Sequence, residues 1–447
     1  MEKQKLTTKQ LFLVASLIFG MFFGAGNLIF PVQLGQLAGH NWLPAVAGFL
    51  LTGALLPFLA MLAVSLTNSK SVYDIAKPAA PWFGTVFLVV IHFTIGPLFG
   101  TPRTAATAFS MGVEPFVPAT YHQVAMLAFT AAFFGLAYFL TVKQSNLMKW
   151  VGKYLNPIFL ALLGLILVLA LFLPMGDLHQ HATDAYQSQA AFQGILDGYN
   201  TMDGLALLAL AVSVVYAVRG LGFEGANVSK VLAKSGLVAI LMESLIYVAT
   251  VLLGVSSLGT MKAAANGGTA FSEIVTHYTG NVGVLATGVI VTLAVFTTAM
   301  GLFVSFAQDL HKVFPKVSYL FWLRVIAIGS FVTANAGLTN IIAWSAPVLM
   351  LLYPYALALT LLGVTNKWVK QDAVMYRAVL LAVTVPAFLD ALGASPLASQ
   401  SWAASLATAY TTHLPLAAEG FGWVLPALGG VIFAMGWKAA SRKPYGE

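Results

Sequence analysis

Apolar stretches long enough to cross a bilayer recur along the whole chain, and nothing else in the sequence narrows the fold so far. A spanning helix needs about 20 apolar residues to cross roughly 30 Å of hydrocarbon. Of the 447 residues, 59% are hydrophobic and only 8% charged, where a soluble domain carries about 25% charged residues. A soluble core of this size could not hide so much apolar surface. The sequence therefore predicts one integral membrane domain over 1–447, all-α and polytopic. Twelve spans are expected, near 10–36, 42–66, 80–112, 121–141, 150–173, 193–216, 235–258, 281–308, 317–336, 339–363, 374–393 and 420–437. Breakers and polar residues fill the connections, as at Gly39-His40-Asn41, Thr67-Asn68-Ser69 and Thr365-Asn366-Lys367. The loops 174–192 and 259–280 are too short to fold alone.

The net charge of +7 could point to nucleic acid, but its placement points to topology. Lys and Arg collect on the cytoplasmic side of membrane proteins. With twelve spans and both termini inside, all but two of the 22 basic residues fall in inner segments. The exceptions are Arg103 and Lys262. Lys3, Lys5 and Lys9 precede a long apolar run with no small-residue cleavage site, so an uncleaved first span is expected rather than a signal peptide. There is no cysteine, which excludes disulfides, Cys-ligated metals and thiol nucleophiles. The histidines lack metal-ligand spacing. No Walker loop, dinucleotide fingerprint or nucleophile elbow stands in context, so neither an enzyme nor an ATP-driven pump is expected.

Candidate functional residues lie where helix breakers and polar groups interrupt the apolar runs. Unpaired backbone groups in hydrocarbon cost several kcal/mol, so non-helical backbone survives only where it lines a site. In the first span, Gly24 and Gly26 permit such backbone, and Asn27 can cap a half-helix whose free N–H groups suit a carboxylate. The other reading is small-residue helix packing. In the sixth span, Gly198 and Gly204 bracket Asn200, Thr201 and Asp203; Asn200 could instead cap the outer helix end. Spans one and six each open a set of five, the arrangement of a 5+5 inverted repeat with matched breaks. The eighth span carries Thr297 and Thr298, hard oxygen ligands suited to Na⁺ or hydroxyls bonded to the preceding turn. The third span, with Gly96, Pro97, Gly100 and Pro102, makes a poor ordinary helix. Its Arg103 either sits mid-membrane, needing Glu114 or Asp203 as partner, or snorkels outward. Glu243 in the seventh span either relays protons or pairs near the cytoplasmic end. Asp309 and His311 are expected at the inner surface, solvated.

The runs FFGAGNLIFP, GPLFGTPRTA, GYNTMDGLA and FTTAMGL resemble, in that order and across essentially the whole chain, the bacterial branched-chain amino acid:cation symporters (LIVCS family, BrnQ-type carriers). That family is similar to the wider superfamily with a LeuT-like 5+5 core. The resemblance implies a first repeat over 10–173, a second over 193–363 and two additional helices over 374–437, in a bacterial plasma membrane. It implies that N–H groups around Gly24, Ala25, Gly26 and Asn27 hold a substrate carboxylate, and that Tyr199, Asn200 and Thr201 meet the amine. Na⁺ would sit between carbonyls near Gly20 and Phe23 and the hydroxyls of Thr297 and Thr298. Asp203 belongs to the branched-chain family's own motif, where it could assist the ion, the amine or Arg103. Ile95, Leu98, Met202 and Phe296 are the expected apolar pocket. The expected activity is secondary symport of Leu, Ile and Val with Na⁺. The alternative is H⁺ coupling through Asp203 or Glu243. No cofactor, nucleic acid or ATPase partner is implied.

Overall fold

Once the apolar runs coil into helices, the positions of the breakers decide where each helix stops. The computed structural model describes residues 6–24, 26–142 and 147–441. Lys3, Lys5 and Ala25, named above, lie outside the described residues, as do Lys143, Arg442 and Lys443 of the inner basic set. The described residues are helical, with no strand among them.

The first span is two helices, α1 (Thr8–Phe22) and α2 (Gly26–Ala38). The Thr7 hydroxyl accepts from the N–H of Gln10 and the Gln10 side chain reaches back, a capping box that fixes where α1 begins. The second span is α3 (Trp42–Leu50) and α4 (Leu56–Leu66), joined by one π turn, Leu51–Leu55. The third is α5 (Pro81–Phe93) and α6 (Gly100–Gly112). Next come α7 (His122–Val142) and α8 (Leu147–Phe172). The sixth span is again two helices, α9 (Asp184–Tyr199) and α10 (Asp203–Gly220). They are followed by α11 (Ala226–Ser257), α12 (Gly267–Val313), α13 (Tyr319–Ala334) and α14 (Leu338–Val364). The chain ends in α15 (Ala373–Gly393), α16 (Ser401–His413) and α17 (Val424–Ser441). Among the described residues, nine helical stretches are long and apolar enough to cross a bilayer, α2 through α4 counting as one. Thr8–Gly20, Leu160–Phe172 and Tyr319–Ala334 are apolar but shorter.

Two expected loops are partly helical. α9 begins at Asp184, inside the expected loop 174–192, because Thr183 supplies an extended N-cap and Asp184 an acidic first turn. The expected loop 259–280 holds the start of α12, where the Asn266 side chain accepts from the N–H of Thr269. That helix is interrupted only at Gly280, whose φ of 63° breaks the helical run.

The two broken spans pack on different main neighbours. α11 packs on α1 and α2, and α9 packs on α3. The α3–α9 contact is backbone on backbone: a Cβ added to Gly194 would lie 1.9 Å from the carbonyl oxygen of Ala45. Small residues let helices approach this closely where lipid supplies no hydrophobic drive between them.

Candidate functional site

The breaks in spans one and six face each other. A Cβ on Gly26 would sit 3.4 Å from both the Cα and the carbonyl oxygen of Thr201, so the two interruptions meet at van der Waals distance. Gly24 faces the eighth span, where a Cβ would meet the Thr298 methyl at 3.9 Å. The Asn27 side chain accepts from the N–H of Gly24 at 2.8 Å, which ties the break to the first turn of α2. In the second break, the N–H groups of Asn200, Thr201 and Met202 bond to the carbonyls of Asp197, Gly198 and Tyr199. Met202 closes that turn in the left-handed region, φ 62° and ψ 6°, and α10 starts at Asp203.

The third span completes the wall. A π turn over Thr94–Leu98 contains Gly96 at φ −88° and ψ −119°, and the helix resumes at Gly100. Pro97 has no N–H for the ladder, so the interruption has an identifiable cause. Beyond it, Arg103 is 3% exposed. Its guanidinium donates from Nη1 to the carbonyl of Asn200 and from Nη2 to the Ser345 hydroxyl at 3.0 Å, and it stands 5.0 Å above the Phe30 ring. Arg103 thus ties α6 to the second break and to α14.

One cavity of about 80 Å³ collects these elements. It is lined by Gly24, Gly26 and Asn27 from the first break, Thr201, Met202 and Asp203 from the second, Ile95, Gly100, Arg103 and Thr104 from the third span, Ala206 and Leu210 from α10, and Thr298 and Leu302 from α12. A larger groove of about 660 Å³ beside α5, α14 and α15 is walled mainly by apolar side chains such as Trp82, Phe83 and Leu351, with Arg377 and Thr384 at its wall as well. It lacks convergent polar groups, which mark a ligand site better than size does.

Several expected residues therefore converge: Gly24, Gly26, Asn27, Ile95, Thr201, Met202, Asp203, Arg103 and Thr298. Ala25 lies outside the described residues. Tyr199 and Asn200 stand at the edge: the Tyr199 ring stacks on Tyr353 at 4.0 Å, and the Asn200 carbonyl is taken by Arg103. Other expected residues stand outside the lining of this cavity. Leu98 is 43% exposed, because the π turn rotates it away from the cavity. Phe296 is buried edge-on against Phe133 at 5.0 Å instead of lining the cavity. Gly20 is exposed on α1. Thr297 turns back and donates to the Ala294 carbonyl at 2.7 Å, while Phe23 lines a small adjoining gap with Ala294 and Leu160.

Glu114 is not the partner of Arg103. It faces His122 at 3.6 Å in a separate polar cavity with Asn266, Asn335 and Thr339. Glu243 is not an ion-pairing group near a helix end. It is fully buried at mid-helix and accepts from the Asn27 amide at 3.0 Å and from the Tyr247 hydroxyl at 2.9 Å. The same amide nitrogen donates to Asp203 Oδ2 at 2.7 Å and contacts the Tyr247 hydroxyl. Asp309 is not freely solvated; it lies 3.2 Å from buried His92 and 3.0 Å from Lys312. Ser345, Tyr353 and Tyr247 were missed. Tyr247, one turn from Glu243 in an apolar span, carried the only clear signal.

Two facing helix breaks around a polar cavity, in an all-helical membrane chain, define a transporter with a LeuT-like fold. The solved structure of Mhp1, a nucleobase-cation-symport-1 family transporter closed around bromovinylhydantoin, superposes with a TM-score of 0.62 at 13% identity, covering 98% of this chain and 94% of that one. A manganese transporter of Eremococcus coleocola follows at 0.57 and 12% identity, over 97% of both chains. Residues 7–441 match the family described as branched-chain amino acid transport protein, and the chain belongs to it. It is 37% identical over 434 residues to the branched-chain amino acid permease BraB of Bacillus subtilis, covering 96% of each chain. To the permease BrnQ of Lactobacillus delbrueckii subsp. lactis it is 36% identical over 441 residues, 97% of each. The chain is a transporter rather than an enzyme.

Proposed function

We propose that this chain imports Leu, Ile and Val across a bacterial plasma membrane, coupled to Na⁺ by alternating access. The reading includes twelve spans with both termini cytoplasmic, repeats over 10–173 and 193–363, and two additional helices over 374–437. The observation that carries it is the shared cavity between the two breaks, with Thr298 on its wall.

The first-turn N–H groups of a helix have no partner within it. At the start of α2 they are the natural seat for the substrate carboxylate, helped by the helix dipole. The start of α10 differs, because Asp203 occupies its first turn and already supplies the negative charge. The substrate ammonium therefore faces Asp203 and the Thr201 hydroxyl. Ile95, Met202, Ala206, Leu210 and Leu302 enclose the aliphatic side chain. Such a wall separates Leu, Ile and Val poorly, one methylene being worth only about 1–3 kcal/mol. Na⁺ sits between the Thr298 hydroxyl and carbonyls at the end of α1, near Phe23. Bound there, it draws α12 toward α1 and α2 and orders the break for the zwitterion. Each Na⁺ entering down the potential gains about 2.3 kcal/mol per 100 mV.

The test is leucine uptake into sealed proteoliposomes under an imposed Na⁺ gradient, with a pH gradient as the comparison. Uptake driven by the Na⁺ gradient alone is expected. Uptake driven only by the pH gradient would remove the Na⁺ assignment, and no uptake under either would remove the cargo.

A further inference from the structure

The cluster behind the cavity contains more negative charge than its donors can serve. Asp203 and Glu243 both accept from one nitrogen, Nδ2 of Asn27, at 2.7 and 3.0 Å. The orientation of that amide is fixed, because its oxygen accepts from the N–H of Gly24 at 2.8 Å. A primary amide has two protons, and three acceptors, Asp203 Oδ2, Glu243 Oε1 and the Tyr247 hydroxyl oxygen, compete for them. Tyr247 gives its single proton to Glu243 Oε1 at 2.9 Å. Glu243 Oε2 is buried and accepts no hydrogen bond from any described protein group.

Among the described residues no cation forms an ion pair with Asp203 or Glu243. Arg103 is the basic group nearest in function, but its two terminal nitrogens go to Asn200 and Ser345. None of the ion pairs found among the described residues joins it to a carboxylate. The groups that bear on the pair are Tyr247 from α11, and Arg103 from α6 and Tyr353 from α14, which act on Asp203. α2 contributes only the Asn27 amide, and α3 contributes Phe49, edge-on to Tyr247 at 5.1 Å. A buried carboxylate oxygen with neither donor nor counter-ion is far costlier than a neutral carboxyl, and two carboxylates sharing a site do not both ionise readily.

We propose that Asp203 and Glu243 form a proton-binding site, separate from the Na⁺ site, in which a single proton resides on Glu243 Oε2 and Asn27 links its presence to the substrate-binding break. The two acids are not equivalent. Asp203 stands in the first turn of α10, where the helix dipole favours its charge, and borders the cavity with Arg103. Glu243 lies in the middle of α11 with no such help. A metal ion in place of the proton would find an N–H donor at the centre of the cluster, which cannot coordinate it. Proton binding moves no electrons: one proton enters from water when Glu243 is neutralised and returns when it ionises. Ionising Glu243 would put a second charge against the Asn27 amide and pull it from Gly24, loosening the break. Substrate affinity should therefore be full with Glu243 protonated and fall as pH rises through its titration. That last consequence rests on the cargo reading above; the proton site itself does not.

Infrared spectroscopy of the full-length purified protein reads the proton directly, since a protonated carboxyl has a C=O stretch that a carboxylate lacks. Asp390 is also buried and Asp197 half-buried, so the band is assigned from the difference between wild type and Glu243→Gln. The expected result is a wild-type band at neutral pH that is missing in Glu243→Gln and bleaches at alkaline pH. A difference spectrum without that band at neutral pH overturns the proposal. So does a bound-Na⁺ count that drops by one in the variant, which would make the cluster a metal site. Leucine binding at saturating Na⁺ supplies the second readout. In wild type it should weaken about tenfold per pH unit on the alkaline side, and affinity that stays flat while the band titrates would overturn the link to the break. Should leucine not bind at any pH, the cargo reading fails while the wild-type band still decides the proton.

Discussion

The two helix breaks look alike in outline and are built in opposite ways. The first rests on glycine and on a side chain: Gly24 stands in the non-helical stretch, and the Asn27 amide oxygen caps its N–H. The second has no glycine among Asn200, Thr201 and Met202. It closes on three turn hydrogen bonds and a residue in the left-handed region. The first break therefore depends on a distant anchor, since Asn27 also holds Asp203 and Glu243. The second is largely self-bonded and exports one carbonyl, that of Asn200, to Arg103. The contrast suggests a division of labour, in which the first break responds to ligand and the second supplies a preformed wall.

The sharpest way to break this contrast is Asn27→Ala. It removes the cap on Gly24 and leaves both Asp203 and Glu243 short of a donor. Charge-assisted bonds are worth about 1.5–3 kcal/mol each, so the initial rate of leucine uptake should fall by about 100-fold or more at equal protein in the bilayer. A fall of less than tenfold would mean that the first break holds itself. Next in size is Arg103→Lys, which keeps the charge but loses the planar fork that reaches Asn200 and Ser345 together. An approximately tenfold loss of uptake is expected, since one neutral-acceptor bond to a charged group is given up. Should the Lys variant transport like wild type, the second break does not need its external tie.

Thr298→Ala against Thr297→Ala tests the ion at the first break. Thr298 lines the cavity, whereas Thr297 bonds to its own helix. Losing one oxygen ligand should raise the Na⁺ concentration for half-maximal uptake about tenfold in Thr298→Ala. Thr297→Ala should shift it less than about twofold. Equal shifts would restore both hydroxyls to the ion.

How far the site could be read in advance follows from the same contrast. The first break was legible because Gly-x-Gly-Asn spells out its own chemistry: permissive backbone, then a cap. The third span was legible as irregular from its glycines and prolines. The facing of Leu98 was not, because helical periodicity carries no phase across a π turn. Nothing local joins Asp203 to Glu243. They lie 40 positions apart, and only the packing of α11 on α1 and α2 brings them to one amide. Glu243 read alone offered a relay or an ion pair, and the absence of a basic partner is visible only in three dimensions. The second break was half legible. Its polar residues marked the place, but a methionine gives no sign of the left-handed region.

Met202 yields the smallest expected effect and the cleanest separation. An L-residue in that region costs about 1–2 kcal/mol, which glycine would not incur. Met202 is 4% exposed and lines the cavity, so its side chain contributes about 1.5–3 kcal/mol of burial in return. Met202→Gly relieves the backbone as it empties the pocket, and the two changes nearly cancel. Met202→Ala empties almost as much of the pocket and keeps the backbone cost. The glycine variant should therefore melt within a few degrees of wild type and about 1 kcal/mol above the alanine variant. Both should favour leucine over valine by a further factor of about three, because the added volume rewards the longer side chain. Two variants of equal stability would show that the left-handed turn is not maintained in the membrane, and the second break would then be no more rigid than the first.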